Sequence, residues 1–279
     1  MKLGIINSAF DQAGVDTVTG LEHISRIGFD CVDLFTEAMT LAEDEIRAIE
    51  STCGRLELPI VSLPVVACGL VDFNAPVRAF HVRRVQAFTA LAHRLRARNI
   101  LLVLGEYIWQ REVIPPEAQW DWGVETVREI GLHAAERGLD IALELEPFRL
   151  SLLNDVRKMA QFIDEVALPN VKANIDISHL VLADVSPAEL TILRDKACHV
   201  HISDCDGRVH GDLPPGRGVV KFGPYLQAIK DLNFSGVVSI ELEYSPDPER
   251  IVEWVEEAYA ATARLMAMTA LRDSGGRER

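Results

Sequence analysis

Four acidic or histidine side chains stand near the carboxyl ends of four apolar segments of the sequence. Glu144 lies in "IALELEP", Asp176 in "VKANIDISH", His201 in "ACHVHISD" and Glu241 in "VVSIELEY". Carboxylates that are brought together repel one another unless a positive charge lies among them. Three carboxylates and one imidazole suit Mn²⁺, Mg²⁺ or Co²⁺, and they do not exclude Zn²⁺. The four residues therefore predict a site for one divalent metal ion, with Mn²⁺ as the preferred ion.

The alternation of side chains along a strand places these four residues on polar faces. In each segment, apolar side chains occupy one face and polar side chains the other. The polar neighbours that share those faces are Glu146, Asn174, His199, Ser239 and Glu243. Because helices would cover the apolar face, we expect the polar face to point into the mouth of a barrel. Glu146 could support the site or be exposed, and we expect Glu243 to be an exposed rim residue.

Eight apolar runs alternate with amphipathic segments, which is the pattern of strands followed by helices. The runs are "KLGII", "DCVDLF", "PIVSLPV", "NILLVL", "DIALELE", "VKANID", "CHVHIS" and "GVVSIEL". Such a chain of about 250 residues predicts the α/β class and a single (β/α)₈ TIM barrel. A doubly wound open sheet has the same alternation, but no G-x-G-x-x-G or P-loop follows the first strand. We assign residues 1–271 to one barrel domain and residues 272–279 to a disordered tail.

Composition and charge narrow the class of protein. The chain has 279 residues, of which 48% are hydrophobic, and a net charge of −14. This excess of acid opposes binding to nucleic acid and to anionic membranes. The five cysteines form no C-x-x-C pair, the N-terminus has no signal-peptide pattern, and no apolar stretch is long enough to span a bilayer. We therefore expect a cytoplasmic protein with reduced cysteines, and the sequence leaves a homo-oligomer open.

Each of these signals alone has a simpler explanation. A Glu-x-Glu at a strand end is more often exposed to solvent than bound to a metal. A His-x-His pair on a strand is more often structural. The histidines of the predicted helices are interpreted as surface or packing residues; they are His23, His81, His93 and His133. The prediction of a metal site depends on the occurrence of polar residues at the same level, near the carboxyl ends, of four successive strands.

Nearly the whole chain resembles the sugar phosphate isomerase/epimerase superfamily, the xylose isomerase-like TIM barrels, and the resemblance is sharpest from Asp140 to Glu243. "ALELEPF" is similar to the metal-binding motif of the fifth strand, "NIDISH" to the D-x-x-H motif, and "HVHISD" to the motif of the seventh strand. "GVVSIELE" is similar to the segment that ends the metal site. Ketose 3-epimerases of the tagatose/psicose type have the same Glu-Asp-His-Glu ligand set. The resemblance implies four metal ligands: Glu144, Asp176, His201 and Glu241.

The resemblance also implies residues that bind the substrate. His179 of the D-x-x-H motif would contact substrate oxygens. In ketose 3-epimerases an arginine follows the ligand histidine by a few residues, and Arg208 is its best match here, although the loop is longer. Arg217 in "PPGRG" is a second candidate, with a surface position as the competing interpretation. Asn154 in "LLND" resembles an asparagine in the loop that follows the fifth strand.

The activity implied by the resemblance is that of a metal-dependent epimerase or isomerase of a small sugar or polyol derivative. The metal would stabilise an enediolate, formed when the proton next to the substrate carbonyl is removed. Glu144 and Glu241 would be the catalytic pair, since one can remove the proton from one face while the other returns it to the opposite face. No arginine cluster or Gly-rich phosphate cradle is evident, which favours a substrate without phosphate.

Three alternative functions stay open. A dehydratase of a keto-inositol would use the same metal site and the same proton abstraction. A DNA repair endonuclease shares the superfamily, but the first four strands offer no histidine at their ends for its three-zinc site. An inactive sugar-binding barrel is disfavoured by the intact ligand set. Three aromatic residues in loops after strands could pack on a sugar or cover the core; they are Phe10, Phe35 and Trp109.

Overall fold

Eight short parallel strands form one sheet in the computed structural model, which describes residues 1–108 and 113–272. They are β1 (Lys2–Ile5), β2 (Val32–Asp33), β3 (Ile60–Val66), β4 (Asn99–Val103), β5 (Asp140–Leu143), β6 (Val171–Asp176), β7 (Ala197–Ile202) and β8 (Val237–Ile240). The strands pair in the order β1-β8-β7-β6-β5-β4-β3-β2. A bridge between Ile6 and Asp33 joins the two ends of that order, so the sheet curves into a nearly closed barrel. The predicted (β/α)₈ TIM barrel is confirmed.

Helices follow the strands and cover the outside of the barrel. They are α1 (Ser8–Gln12), α2 (Thr17–Ile27), α3 (Glu43–Leu56), α4 (Ala75–Arg94), α5 (Pro116–Ala135), α6 (Val156–Val166), α7 (Ile177–Leu182), α8 (Phe222–Asp231) and α9 (Ile251–Met268). Short 3₁₀ helices cover Cys68–Val71, Pro187–Leu193 and Pro248–Arg250. The 3₁₀ helix Pro187–Leu193 follows Ser186, whose backbone N–H donates to the Glu189 carboxylate in a capping box.

Helix α6, which follows β5, shows how the sequence positions the elements near the predicted site. It begins after Asp155, whose carboxylate accepts hydrogen bonds from the backbone N–H groups of Arg157 and Lys158 at 2.8 and 2.9 Å. Its buried side chains recur every three or four residues; they include Val156, Met159, Ala160, Ile163 and Val166. Because this spacing forms one apolar stripe, the helix packs against the barrel along that stripe.

The barrel interior is polar, whereas the layer between strands and helices is apolar. Ser62 Oγ donates a hydrogen bond of 2.6 Å to Asn99 Oδ1, and both side chains are buried. His199 Nε2 lies 2.8 Å from Asp33 Oδ2, with both residues almost fully buried. A small apolar cluster separate from the main core is formed by Cys31, Val61 and Val237. The division between polar and apolar strand faces that the sequence predicts is therefore present.

The remaining expectations from the sequence concern residues away from the predicted metal ligands. Phe10 lies inside α1 and is buried, so the prediction that it lies in a loop is wrong. Trp109 lies outside the described residues. The predicted tail also lies outside the described residues, except for Arg272, whose guanidinium is 3.2 Å from the Asp30 carboxylate.

The five cysteines are free. Among the helices in the described ranges, none is long and apolar enough to cross a membrane.

Candidate metal centre

The register of the strands places the four predicted ligands at one end of the barrel. Asp176 is the last residue of β6, and it pairs directly with His201 of β7. Glu241 follows β8, and its backbone N–H donates to the carbonyl of Ile202 at 3.2 Å. Glu144 follows β5, and its N–H donates to the carbonyl of Leu102 at 3.0 Å. All four side chains therefore start from the carboxyl ends of the strands, where TIM barrels carry their active sites.

The four side chains converge around one imidazole nitrogen. His201 Nδ1 lies 3.0 Å from Glu241 Oε2 and 3.8 Å from Glu144 Oε2. Potential ligand atoms of Asp176, His201 and Glu241 all lie within 4.8 Å of one another. Glu144, Asp176 and His179 satisfy the same limit. The structure thus brings together the residues that the sequence predicts to bind a metal, and their role as ligands stays a prediction.

Two of these carboxylates each have one oxygen held by the protein and one oxygen free. Asp176 Oδ1 accepts hydrogen bonds from Ser178 Oγ at 2.8 Å and from the His179 N–H at 2.9 Å. Glu144 Oε2 accepts a hydrogen bond of 2.6 Å from Asn174 Nδ2. Within residues 1–108 and 113–272, the buried atoms Asp176 Oδ2 and Glu144 Oε1 have no hydrogen-bond donor.

A buried carboxylate oxygen without a partner is energetically unfavourable, so these free atoms indicate a missing positive partner. A divalent cation would provide it, and the oxygen-rich donor set matches Mn²⁺, Mg²⁺, Co²⁺ or Zn²⁺. The residues present therefore fit the predicted metal ion.

The imidazole of His201 lies beside a buried carboxylate on β2. Its Nε2 atom lies 3.4 Å from Asp33 Oδ2, and the same oxygen lies 2.8 Å from His199 Nε2. Among the described residues Nε2 has no hydrogen-bond partner, whereas Nδ1 lies at hydrogen-bond distance from Glu241; with a metal on Nδ1, an Nε2–H would face Asp33. Histidines that bind metals usually have their second ring nitrogen oriented by a carboxylate or a carbonyl in this way.

Burial and crowding of charge shift the pKa values of these groups. Burial raises the pKa of Glu241 well above its ordinary value, although His201 opposes the shift. Burial disfavours the charged form of His201, but Glu241 and Asp33 outweigh that effect and raise its pKa well above the ordinary value. Burial, together with Glu144 and Asp176, raises the pKa of Glu146 to about 7. An excess of buried carboxylates is the common cause, and a bound cation would relieve it.

His179 lies beside these carboxylates, as the D-x-x-H motif predicts. Its Nδ1 atom lies 2.7 Å from the Leu145 carbonyl oxygen and 3.4 Å from Glu144 Oε1. Its Nε2 atom lies 2.5 Å from Nε2 of His210. His179 is only 3% exposed, so its ring is held in one orientation at the edge of the site.

The two candidate arginines lie outside this cluster. Arg208 is exposed on the loop after β7, and in the described residues no hydrogen bond or ion pair joins its side chain to the four predicted ligands. Its role in substrate binding stays a prediction. Arg217 pairs with Glu257 of α9, with Arg217 Nη2 2.6 Å from a carboxylate oxygen, and its guanidinium packs 4.0 Å from the ring centroid of Trp254. These contacts give Arg217 a structural role on the outer surface.

Several residues near the predicted ligands are not identified by the sequence analysis. The main examples are Asp33, His210 and Asp212. Asp33 interrupts an apolar run, which is a signal of its own, but its partner His199 is 166 positions away. His210 and Asp212 belong to a loop without strand periodicity. Glu243 is half-buried and accepts a hydrogen bond of 3.3 Å from Gln12 Nε2, so it is not an exposed rim residue.

A comparison with protein families identifies the fold family. The model of the xylose isomerase-like TIM barrel matches residues 21–265 of this chain. The chain belongs to this family. The resemblance stated from the motifs of β5 to β8 is therefore confirmed.

Two curated proteins that are similar in sequence to this chain are named as epimerases. D-psicose 3-epimerase of Ruminiclostridium cellulolyticum is 25% identical over 254 residues, covering 86% of this chain and 83% of the relative. Fructoselysine 3-epimerase of Escherichia coli O157:H7 is 23% identical over 254 residues, covering 87% and 90%. Among solved structures, that of the IOLI protein with a zinc atom has a TM-score of 0.85 at 17% identity, covering 96% of this chain and 99% of the other.

Proposed function

We propose that this chain is a divalent-metal-dependent epimerase or isomerase that acts on a small sugar or sugar derivative. The observation that carries the proposal is the convergence of Glu144 and Glu241 on the Nδ1 atom of His201, at 3.8 and 3.0 Å. The two glutamates follow β5 and β8, which are three places apart around the barrel. The epimerase names of the relatives from Ruminiclostridium cellulolyticum and Escherichia coli support this class of reaction.

The four residues that would hold the cation are Glu144, Asp176, His201 and Glu241. When bound, the cation supplies Lewis-acid stabilisation of the negative charge that develops on the substrate oxygens. The protein prepares this site before binding, because Asn174, Ser178 and the His179 N–H each hold one oxygen of a ligand carboxylate in place. Such preorganisation avoids rearrangement of dipoles during the reaction. We take Mn²⁺ as the working ion.

The two glutamates perform the proton transfers in this scheme. One carboxylate removes the proton from the carbon next to the substrate carbonyl, and the other delivers a proton to the opposite face of that carbon. The configuration of the carbon is thereby inverted, while the atoms of the substrate are conserved. General acid and base groups of this kind contribute about 10²–10⁴-fold to the rate. Glu144 is buried, with 3% exposed, and the Glu241 side chain is partly buried, with 17% exposed, which limits competing exchange with water at Glu144.

Substrate oxygens would be held by His179 and Arg208. His179 Nδ1 is held by the Leu145 carbonyl, and its Nε2 lies 2.5 Å from His210 Nε2, so a substrate hydroxyl would bind His179 by replacing His210 at Nε2. Arg208 is on the loop after β7, close in sequence to His210. Its guanidinium is exposed, and the side chain would contact a substrate held at the predicted ligands by reorienting on binding.

The experiment that tests the proposal is a screen of unphosphorylated ketoses and keto-polyols with Mn²⁺ in deuterated water. Proton NMR should show replacement of the hydrogen next to the carbonyl for at least one substrate, together with an epimer or isomer of unchanged mass. Loss of water from the product would instead identify a dehydratase. Absence of exchange with every substrate and metal, combined with nicking of abasic DNA, would overturn the proposal in favour of a repair endonuclease.

A further inference from the structure

A polar cavity of about 320 Å³ opens at the amino ends of the strands, opposite the predicted metal centre. Strands β4 to β8 line it with their first or second residues, which are Asn99, Asp140, Lys172, Ala197 and Val237. The loops before β7 and β8 add Asp195, Asn233 and Ser235. Cavities of this volume can hold small molecules. Among the described residues that line it, none belongs to the Glu-Asp-His-Glu set, and the proposed reaction does not use them.

An ion pair between neighbouring strands forms part of the cavity wall. Lys172 Nζ donates a hydrogen bond of 2.9 Å to Asp140 Oδ2, and the two side chains are 30% and 33% exposed. An ammonium group has three hydrogens and a carboxylate has two oxygens, so this contact uses only one of each. Within the described ranges, neither side chain makes a further hydrogen bond. The pair therefore offers donors and an acceptor, side by side, to a molecule in the cavity.

Asn99 contributes a buried amide to the same wall. It is only 4% exposed, and its Oδ1 atom accepts a hydrogen bond of 2.6 Å from Ser62 Oγ. In the parts of the chain that the structure describes, its Nδ2 atom donates to no acceptor. An amide donor in a buried position is unfavourable without an acceptor. Nδ2 is therefore the group of Asn99 that is available to a ligand.

His199 contributes a buried acceptor. It lines the cavity and is only 1% exposed, and its Nε2 atom lies 2.8 Å from Asp33 Oδ2. Because a carboxylate accepts, the Nε2 atom carries the hydrogen, and the neutral ring has its lone pair on Nδ1. No hydrogen bond from the described residues reaches that Nδ1 atom. The cavity wall thus combines donors at Lys172 and Asn99 with acceptors at Asp140 and His199.

The charges around the cavity indicate the kind of molecule that fits it. Two positive side chains, Arg98 and Lys172, are matched by two negative ones, Asp140 and Asp195. An anion would be repelled by the two carboxylates, whereas a neutral molecule would not. Hydroxyl groups both donate and accept, so they match a wall that mixes donors with acceptors. Phe234 also lines the cavity, and an aromatic ring can pack on the carbon–hydrogen groups of such a molecule.

We propose that this amino-end cavity binds a small neutral molecule with several hydroxyl groups, a polyol or a sugar. Lys172, Asp140 and Asn99 hold neighbouring hydroxyl groups, and His199 Nδ1 accepts a hydrogen bond from another. The site lies at the opposite end of the barrel from the four predicted metal ligands. Its occupant therefore does not compete with a substrate that is bound at the metal centre.

Binding of D-glucitol and myo-inositol tests this inference independently of turnover. Neither probe has a carbonyl group, so neither is a substrate of the proposed reaction. The chain is treated with a chelator, so that no metal ion holds hydroxyl groups at the carboxyl end, and is then titrated by calorimetry. We expect one molecule of at least one probe to bind per chain. Glu241→Gln, at the carboxyl end, should bind it equally well.

Replacement of the wall residues should weaken that binding. Lys172→Met and Asn99→Ala each remove a polar contact in a largely buried site, so each should raise the dissociation constant by at least about 10-fold. Lys221→Met changes an exposed lysine at the start of α8 and should have no effect. Circular dichroism establishes that each variant is folded. Because Asn99→Ala also removes the acceptor of Ser62, Lys172→Met is the decisive variant.

Three results would overturn the inference. The first is that neither polyol binds. The second is that inorganic phosphate or malonate binds at the cavity and the polyols do not, which would identify an anion site. The third is that polyol binding is lost in Glu241→Gln and kept in Lys172→Met, which would place the ligand at the carboxyl end. Each of these results leaves the epimerase proposal intact, since that proposal depends on Glu144 and Glu241.

Discussion

Asp33 Oδ2 lies 3.4 Å from His201 Nε2, although the two residues belong to strands β2 and β7 on different sides of the barrel. The contact places a carboxylate beside an imidazole whose other nitrogen faces Glu144 and Glu241. Asp33 is fully buried, and it also contacts His199. We therefore expect Asp33 to position His201 when a metal ion is bound at Nδ1.

Replacement of Asp33 should weaken metal binding. In Asp33→Asn the amide no longer attracts the Nε2–H of His201 as a carboxylate does, so the ring can turn. We expect the dissociation constant for Mn²⁺ at the four-residue centre to rise by about 10–100-fold. Titration calorimetry measures this dissociation constant.

Ser62→Ala serves as a control, because it removes a buried hydrogen bond to Asn99 elsewhere in the interior. It should lower stability by about 1–3 kcal/mol without changing metal affinity. Equal metal affinity in Asp33→Asn and the unmodified protein would exclude the positioning role.

Replacement of the two glutamates proposed as catalytic should reduce activity without unfolding the protein. Glu144→Gln and Glu241→Gln remove a base of nearly the same shape, so each should reduce turnover by at least about 10²-fold while thermal unfolding stays cooperative. The rate of proton exchange on the identified substrate gives the measurement. Glu129→Gln changes an exposed glutamate of α5 and should have no effect. Turnover at the unmodified rate in either active-site variant would rule out the scheme with two bases.

Metal removal should destabilise the protein, since the cation binds only the folded barrel. At a metal concentration 100-fold above the dissociation constant, binding contributes about 2.7 kcal/mol to the free energy of unfolding. Chelation should lower the Tm, and added Mn²⁺ should restore it. Asp176→Asn should abolish most of this dependence, because Asp176 has a free buried oxygen in the centre. A Tm that does not respond to chelator or Mn²⁺ in the unmodified protein would show that the site does not bind the ion.

The loop after β7 should tolerate no side chain at Gly218. A β-carbon there would overlap the Cys205 carbonyl oxygen and the Asp204 carboxylate, which organises the loop. Gly218→Ala should therefore lower the free energy of unfolding by about 1–3 kcal/mol. In contrast, Gly223→Ala places a methyl group in open space on α8 and should be neutral or slightly stabilising. Denaturant unfolding of the two variants compares them, and equal stabilities would show that the Asp204 network is not tightly packed.

Strand periodicity explains why much of the site could be predicted from the sequence. The carboxyl ends of parallel strands all lie at one end of the barrel. Polar residues near those ends, on the strand faces that point inward, therefore lie close together. The direct pairing of Asp176 with His201 is the consequence. The same reasoning gives the apolar outer layer and the barrel itself.

Other parts of the site depend on contacts that no local pattern encodes. Strand β2 is two residues long, and its Asp33 meets a partner 166 positions away. His210 reaches His179 only because Asp204 folds the loop around its carboxylate. Arg208 lies on the same loop as His210, but its side chain is exposed. Its position a few residues after His201 in the sequence does not reveal this exposure.

Anomalous diffraction from crystals soaked in Mn²⁺ tests most directly whether the four predicted ligands bind one metal ion. We expect a strong manganese peak within bonding distance of all four side chains, those of Glu144, Asp176, His201 and Glu241. A cavity without a peak between those side chains, with the four groups turned away from one another, would contradict it.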